Sequence, residues 1–226
     1  MFNNSKYGNL LTIILVVAIV AIIGIVAIIG YRMYKSYYLE TGAMQAATQF
    51  ESSVNNIGSI IDNSQSNTDK NIIGNIEQVQ NNNNNSSSGS TSTKYKGFDV
   101  VGTIQIPAIN LKYPILKQNT KKSLETSVVL MYTSNGLNEI GNSVIIGHNY
   151  RNGTMFSNVK KLGNGDIIYI TDTQGRKVKY VIYSIYRTSG TDAKYITRNT
   201  NGLREISLST CTDDSKARTI VLAKEE

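Results

Sequence analysis

An uncharged apolar run near the N-terminus constrains this chain more than any other feature. From Leu10 to Gly30 every residue is Leu, Ile, Val, Ala or Gly, with Thr12 as the one exception. A helix of this length crosses the hydrocarbon core of a bilayer, which is about 30 Å thick. A cleaved signal peptide is the alternative, although its apolar core is shorter, about 7 to 15 residues. We predict an N-terminal tail at residues 1–9 and a lipid-embedded transmembrane helix at residues 10–31.

The charges beside this helix leave its orientation open. Lys6 precedes the apolar run, and Arg32 and Lys35 follow it, so the positive-inside rule does not choose a side. The cysteine content leaves the redox compartment open as well, because one lone thiol needs no oxidising environment.

Composition argues against several classes of partner. The formal net charge of +7 suits an anionic surface, such as lipid headgroups or an acidic wall polymer, or simply a solvated surface. Lys and Arg do not form runs interleaved with aromatic residues, so we predict no nucleic-acid partner. With one histidine and one cysteine the chain cannot complete a typical zinc set, and we predict no metal and no cofactor.

Residues 32–97 predict a flexible stalk rather than a domain, because large apolar side chains are sparse there. Two groups of apolar residues recur at helical spacing, namely Phe50, Val54, Ile57 and Ile61, and then Ile72, Ile73, Ile76 and Val79. They indicate two short amphipathic helices, which are marginal in isolation. Residues 80–93 are rich in Asn, Ser, Gly and Thr, and such a segment cannot bury enough apolar area to order itself. We therefore predict a tether there.

From Phe98 onward the chain is typical of an all-β domain. Short runs rich in Val, Ile, Tyr and Thr alternate with clusters of Asn, Gly, Asp and Lys. We predict eight strands, at residues 100–106, 113–116, 127–132, 143–146, 166–171, 177–187, 206–210 and 219–223. Eight strands in a domain of this size fit a closed β-barrel. The pattern of Phe156, Val159 and Leu162 predicts one short helix, and residues 193–198 predict a further turn.

The cysteine lies on a predicted strand face that carries hydroxyl groups. Alternation along this strand places Ser207, Ser209 and Cys211 on one face. Ile206 and Leu208 lie on the other. This parity favours a polar groove beside the thiol, whereas a structural cysteine usually has apolar neighbours. The role of a small core residue is the alternative.

The histidine and one arginine complete a possible catalytic set with this thiol. His148 follows a predicted strand, and Gly147 permits a sharp exit from it. Arg218 opens the last predicted strand. A nucleophile, a proton carrier and a cation for the oxyanion are the minimum for acyl transfer through a thioester. The alternatives are a solvated histidine and an arginine paired loosely with Asp213, Asp214 or solvent.

The segment Ser207-Leu-Ser-Thr-Cys211, with Arg218 downstream, resembles the sortase signature Thr-Leu-x-Thr-Cys followed by an arginine on the next strand. Ser207 departs from the signature threonine but keeps the hydroxyl. The stretch from Gly147 to Phe156 resembles the sortase histidine block. The order His, Cys, Arg differs from papain-like and cell-wall amidase thiol enzymes, which place the cysteine first.

Two further stretches, residues 101–107 and 110–116, are similar to the opening strands of the sortase barrel. Among sortases the chain is closest to class B, although the insertion before the cysteine strand is short, at residues 188–204. The resemblance covers residues 98–226 and implies that they form an extracellular catalytic domain of an eight-stranded sortase-type barrel with one or two short helices. It also implies a single-pass protein of the cell membrane.

This resemblance implies a cysteine transpeptidase. Cys211 would attack a C-terminal sorting motif in a secreted protein, and an amine of a peptidoglycan precursor or of a pilin would resolve the thioester. His148 would move the proton and Arg218 would stabilise the oxyanion. Ser209 and Thr210 would contact the sorting peptide.

Two alternatives stay open. In the first, the barrel is a membrane-tethered binding module without catalytic activity, and Cys211 is only a packing residue. In the second, the protein is a thiol peptidase that hydrolyses the thioester and transfers the acyl group to no amine.

Overall fold

The computed structural model describes residues 4–65 and 93–226. The predicted helix at residues 72–79 and nearly all of the predicted tether at residues 80–93 lie outside these ranges. Contacts divide the chain into two compact units, Met1–Gly42 and Ala43–Glu226.

A single long helix, α1, runs from Asn4 to Gln65 and includes the apolar run. By length and composition this helix is able to cross a membrane. Its large apolar side chains from Leu10 to Ile29 are exposed, which suits contact with lipid rather than with protein.

The part of α1 from Ala43 to Val54 packs on the barrel, which the stalk prediction for residues 32–97 did not include. Ala43, Ala47, Phe50 and Val54 recur at helical spacing, and all four are buried. Phe50 and Val54 belong to the main hydrophobic core of the second unit. Fully burying one side chain of this kind stabilises a fold by about 1.5 to 3 kcal/mol, which a marginal isolated helix lacks.

Two polar contacts orient this helical segment on the barrel. The side chain of Lys112 donates a hydrogen bond of 2.9 Å to Glu51, and the two form an ion pair. The hydroxyl of Thr103, which is almost fully buried, donates to the other carboxylate oxygen of Glu51 at 2.7 Å.

The predicted eight-stranded barrel is confirmed. Its strands are β2 (Phe98–Ile106), β3 (Leu111–Leu116), β4 (Val128–Thr133), β5 (Gly141–Ile146), β6 (Ile167–Asp172), β7 (Lys177–Ser189), β8 (Arg204–Cys211) and β9 (Ala217–Glu225). Around the barrel the order is β2-β3-β4-β5-β8-β9-β7-β6, and pairing of β6 with β2 closes it. Only β3–β4 and β5–β8 are parallel pairs among these strands. A two-residue strand, β1 (Lys94–Tyr95), pairs with β2.

Alternation along the strands builds two apolar clusters. The larger fills the barrel and includes Ile206 and Leu208 of β8. The smaller contains Val144, Tyr195 and Ile220 and covers part of the barrel wall. Because Tyr195 belongs to the connection between β7 and β8, that connection is a packed part of the domain.

Short helices occupy the connections. The predicted short helix after the histidine is present as a 3₁₀ helix, Phe156–Lys161, and a second 3₁₀ helix spans Pro107–Ile109. The α-helix α2, Lys121–Thr126, was not predicted. A reciprocal capping box between Thr120 and Ser123 starts it.

Candidate active site

Strand register brings Cys211 and Arg218 side by side. The two residues are cross-strand partners at the ends of β8 and β9. The amide of Thr212 donates to the carbonyl of Ala217, so the preceding pair is of the non-hydrogen-bonded kind, in which Cα atoms lie about 4.5 Å apart. Side chains of directly opposite residues share a face, and the half-buried thiol therefore lies beside the guanidinium.

Parallel pairing of β5 with β8 brings the histidine segment to the same rim. The register pairs Ile146 with Ser209. Beyond the end of β5, the amide of Gly147 donates to the carbonyl of Ser209 at 3.3 Å. The hydroxyl of Thr210 donates to the carbonyl of Gly147 at 2.8 Å. His148 is the next residue, so the imidazole is carried by backbone that runs alongside Thr210 and Cys211.

Close packing explains the glycine before His148. A Cβ atom at Gly147 would lie 2.8 Å from the ring of Phe156 and 3.0 Å from Val128. The ring of Phe156 is fully buried, and its own amide donates to the carbonyl of His148 at 3.1 Å. The predicted sharp exit from β5 therefore depends on contact with the following 3₁₀ helix.

The surroundings of His148 favour the neutral imidazole. Partial burial lowers the pKa of His148 below its ordinary value, and the nearby carboxylate of Glu125 in α2 opposes this shift. The ring of Tyr150 packs against the imidazole with 4.9 Å between centroids. A neutral imidazole is able to accept a proton from the thiol at physiological pH.

Arg218 is held by the connection between β7 and β8. Its Nε donates to the carbonyl of Gly190 at 3.3 Å. The acidic neighbours have other partners: Asp213 pairs with Lys160, and Asp214 pairs with Arg187. In the described part of the chain Arg218 forms no ion pair, which leaves its charge available at the rim.

Ser209 and Thr210 are engaged in internal hydrogen bonds. Ser209 is 1% exposed, and the hydroxyl of Tyr195 donates to it at 3.2 Å. Thr210 is also buried, and it supports Gly147. Both residues therefore lie at the predicted site, but Tyr195 separates Ser209 from the solvent.

A cavity of about 300 Å³ opens beside the thiol. Cys211, Thr210 and Thr219 line its strand side, and Phe156 and Lys160 line its other side. Among residues 4–65 and 93–226 no group of three or more His, Cys, Asp or Glu side chains is placed to hold a metal ion.

The sequence reasoning missed a buried polar network that fastens the β7–β8 connection to the barrel. Arg198 forms an ion pair with Glu205, which is 7% exposed. The guanidinium also donates to Asn142 at 3.1 Å. Asn142 donates in turn to the carbonyls of Tyr195 and Ile196, at 2.9 and 2.8 Å. This network fixes Tyr195 over the face that carries the thiol.

A second missed residue is Asn149, which directly follows the histidine. Its side-chain amide donates to the carbonyl of Cys211 at 3.0 Å. The sequence shows that Asn149 follows His148. It does not show the hydrogen bond of Asn149 to Cys211, because the two residues lie 62 positions apart.

Comparisons with known proteins agree with this geometry. The Sortase domain family model matches residues 104–226, which is more than half of the chain. Sortase A of Bacillus anthracis is 31% identical over 121 residues, which cover 52% of this chain and 56% of that relative. The chain thus spans little more than half the length of this curated relative.

Two solved structures are similar over the barrel. A sortase D5 transpeptidase of Clostridium perfringens is 31% identical, with a TM-score of 0.52, over 57% of this chain and 79% of that one. A lid mutant of sortase A from Corynebacterium diphtheriae is 30% identical, with a TM-score of 0.52, over 57% of this chain and 71% of that one.

The predicted likeness to class B stays a prediction, because the relatives named above are sortases A and D5. The shortened insertion was expected at residues 188–204; of these, residues 190–203 connect β7 to β8 and contain turns and no helix. At the family level the prediction is confirmed. A closed barrel with cysteine, histidine and arginine segments at one rim, together with a family match across that barrel, shows that this chain belongs to the sortase family.

Proposed function

We propose that this protein is a membrane-anchored cysteine transpeptidase. It cleaves a C-terminal sorting motif of secreted proteins and transfers the acyl part to an amine of a peptidoglycan precursor or of a pilin. One observation carries the proposal: the pairing of β5 with β8 and of β8 with β9 gathers His148, Cys211 and Arg218 at one rim.

The proposed chemistry begins with a proton transfer. His148 accepts the thiol proton as the sulfur of Cys211 attacks the scissile carbonyl, and the lowered pKa of this histidine supports a neutral imidazole for that step. Arg218 donates to the oxyanion that forms next to it. The imidazolium then protonates the departing amine, which leaves a thioester on Cys211.

Resolution of the thioester reverses these proton movements. The incoming amine attacks the thioester carbonyl and gives a proton to His148, and the thiol leaves with that proton. A water molecule in place of the amine gives hydrolysis. An acceptor amine therefore distinguishes a transpeptidase from a peptidase.

We further propose that residues 10–31 anchor the enzyme and that the barrel faces the outside of the cell. The apolar exposed surface of this segment supports the anchor. The outward orientation is supported by the proposed substrates, since secreted proteins and wall precursors meet at that face of the membrane.

Mass spectrometry of the full-length chain in detergent tests the proposal. Because the chain has one cysteine, an acyl adduct at a thiol reports on Cys211 alone. Incubation with LPxTG-like and NPxT-like peptides is expected to give an acyl-enzyme, and an added amine is expected to give ligated peptide. Cys211→Ala is expected to abolish both. A folded protein whose thiol forms no adduct with any of these peptides, and which still binds wall polymer, would instead be the binding module.

A further inference from the structure

Asn149 joins the histidine segment to the cysteine strand. Its side-chain nitrogen donates to the carbonyl of Cys211 at 3.0 Å and to a carboxylate oxygen of Asp213 at 2.9 Å. Its side-chain oxygen accepts from the amide of Arg151 at 3.1 Å. The side-chain amide of Asn149 therefore connects the segment that carries His148 to Cys211 and to the turn that follows Cys211.

This contact replaces backbone pairing at the point where β5 ends. Cys211 and Arg218 form a non-hydrogen-bonded pair, so the carbonyl of Cys211 points away from β9 and towards the β5 side. Pairing of β5 with β8 ends at Ile146 and Ser209. Beyond that point the side chains of Thr210 and Asn149 supply the contacts, to Gly147 and Cys211 respectively.

The segment that carries the imidazole needs such a contact. It leaves the sheet at Gly147 and includes Arg151 and Met155, two non-glycine residues with positive φ, at 59° and 49°. Backbone in this region is strained and persists when surrounding contacts determine it. At the far end of the segment, the amide of Met155 donates to the hydroxyl of Tyr113 at 3.0 Å. On the side of the nucleophile, Asn149 makes the corresponding contact.

We propose that Asn149 is a positioning residue that sets the separation between the imidazole of His148 and the sulfur of Cys211. The inference rests on the proposed function, in which those two groups exchange a proton. Proton transfer requires the two groups to lie within hydrogen-bond reach, and a displacement of about 1 Å can cost about 100-fold in rate.

Two variants separate the hydrogen-bond donor from the rest of the side chain. Asn149→Asp keeps the oxygen that accepts from Arg151 but removes both donated bonds. Asn149→Ala removes them without adding charge. The matched control is Asn158→Asp, the same change on the following 3₁₀ helix, where the amide donates to the carbonyl of Gly153 at 3.4 Å.

Turnover of sorting peptide by the full-length chain in detergent is the first measurement. Both Asn149 variants are expected to lower kcat by about 10- to 100-fold and to change KM by less than about 2-fold, because the loss falls on the proton transfer between His148 and Cys211. The control is expected to keep the wild-type kcat. Wild-type kcat in Asn149→Ala, or a loss confined to KM, would overturn the inference.

Alkylation of Cys211 by iodoacetamide at neutral pH is the second measurement, and it needs no peptide substrate. His148→Ala is expected to change the alkylation rate in the wild-type background and to have little effect in the Asn149→Ala background. An equal effect in both backgrounds, or no effect in either, would overturn the inference. Failure of every sorting peptide to react would contradict the proposed function, while this coupling would still report on Asn149.

Discussion

His148 owes its proton affinity to two opposed influences. Burial under neighbouring residues disfavours the charged imidazole, and the carboxylate of Glu125 favours it. Burial is the larger of the two. The histidine therefore binds its proton less readily in the folded protein than in the unfolded chain, and the folded state loses stability as the pH falls through the ordinary histidine range.

An NMR titration of the single histidine measures this balance without ambiguity. The pKa of His148 is expected below its ordinary value, and Glu125→Gln is expected to lower it further, because the favourable charge is removed. Lys122→Gln on the same helix is the control for a change of charge. A wild-type pKa at or above the ordinary value would contradict burial as the main cause, and a pKa that rises in Glu125→Gln would contradict the favourable effect of the Glu125 carboxylate.

Arg218 offers a second test at the scale of one residue. Its Nε already donates to Gly190, so the planar fork has a fixed orientation beside the thiol. Arg218→Lys keeps the charge and loses the fork, and kcat is expected to fall by about 100-fold or more with little change in the midpoint of thermal unfolding. An unchanged kcat would remove Arg218 from the proposed site.

The connection between β7 and β8 behaves as an ordered element rather than as a loose loop. The ion pair of Arg198 with Glu205 is largely buried, with 15% and 8% of the side chains exposed. Tyr183 also donates to Glu205, at 2.7 Å. These contacts keep Tyr195 over Ser209, on the strand face that also carries the thiol.

Removal of one partner of this pair should be costly. Arg198→Met leaves the carboxylate of Glu205 buried without its cation, and the free energy of unfolding is expected to fall by about 3 to 5 kcal/mol. Urea denaturation measures the change. Arg187→Met is the matched control, because its ion pair with Asp214 is 3.8 Å long and exposed, and it should cost less than about 1 kcal/mol. Equal losses in the two variants would contradict a structural role for the buried pair.

At the scale of the whole molecule, the barrel includes a segment that comes from the membrane helix. Phe50 is 1% exposed and belongs to the main core. The compact unit accordingly begins at Ala43 and not at the predicted start of the domain, Phe98. The predicted domain boundary at residue 98 cuts through a packed interface.

Two fragments test this boundary. A fragment of residues 43–226 is expected to be more stable than one of residues 98–226 by at least about 2 kcal/mol, because the shorter fragment exposes the surface that Phe50 and Val54 cover. In the longer fragment, Phe50→Ala is expected to cost about 3 to 5 kcal/mol, whereas Gln49→Ala on the exposed side of the helix should stay within about 0.5 kcal/mol. Equal unfolding midpoints for the two fragments would contradict the packing of α1.

Local patterns were sufficient to predict the barrel. Short runs rich in Val, Ile, Tyr and Thr predicted all eight strands, and alternation along one of them placed Cys211 on the same face as Ser207 and Ser209. Contacts between distant residues were not predictable in this way. In the sequence, nothing distinguishes Asn149 and Arg198 from other polar residues. Strand pairing places Asn149 against Cys211, and the fold buries Glu205 beside Arg198. The helical spacing of Phe50 and Val54 was read from the sequence, but Ala43 and Ala47, which continue the same buried stripe, were not recognised because their side chains are small.

Parallel pairing of β5 with β8 makes assembly of the rim depend on long-range folding. Asn149 and Cys211 are 62 positions apart in the chain, and parallel neighbours cannot be joined by a tight hairpin. Such pairs form late, because a long loop must be closed before any contact compensates for the lost chain entropy. Antiparallel hairpins such as β6–β7 and β8–β9 are free to form earlier. A refolding chain is therefore expected to form most of its strands before the side chains of the proposed active site come together.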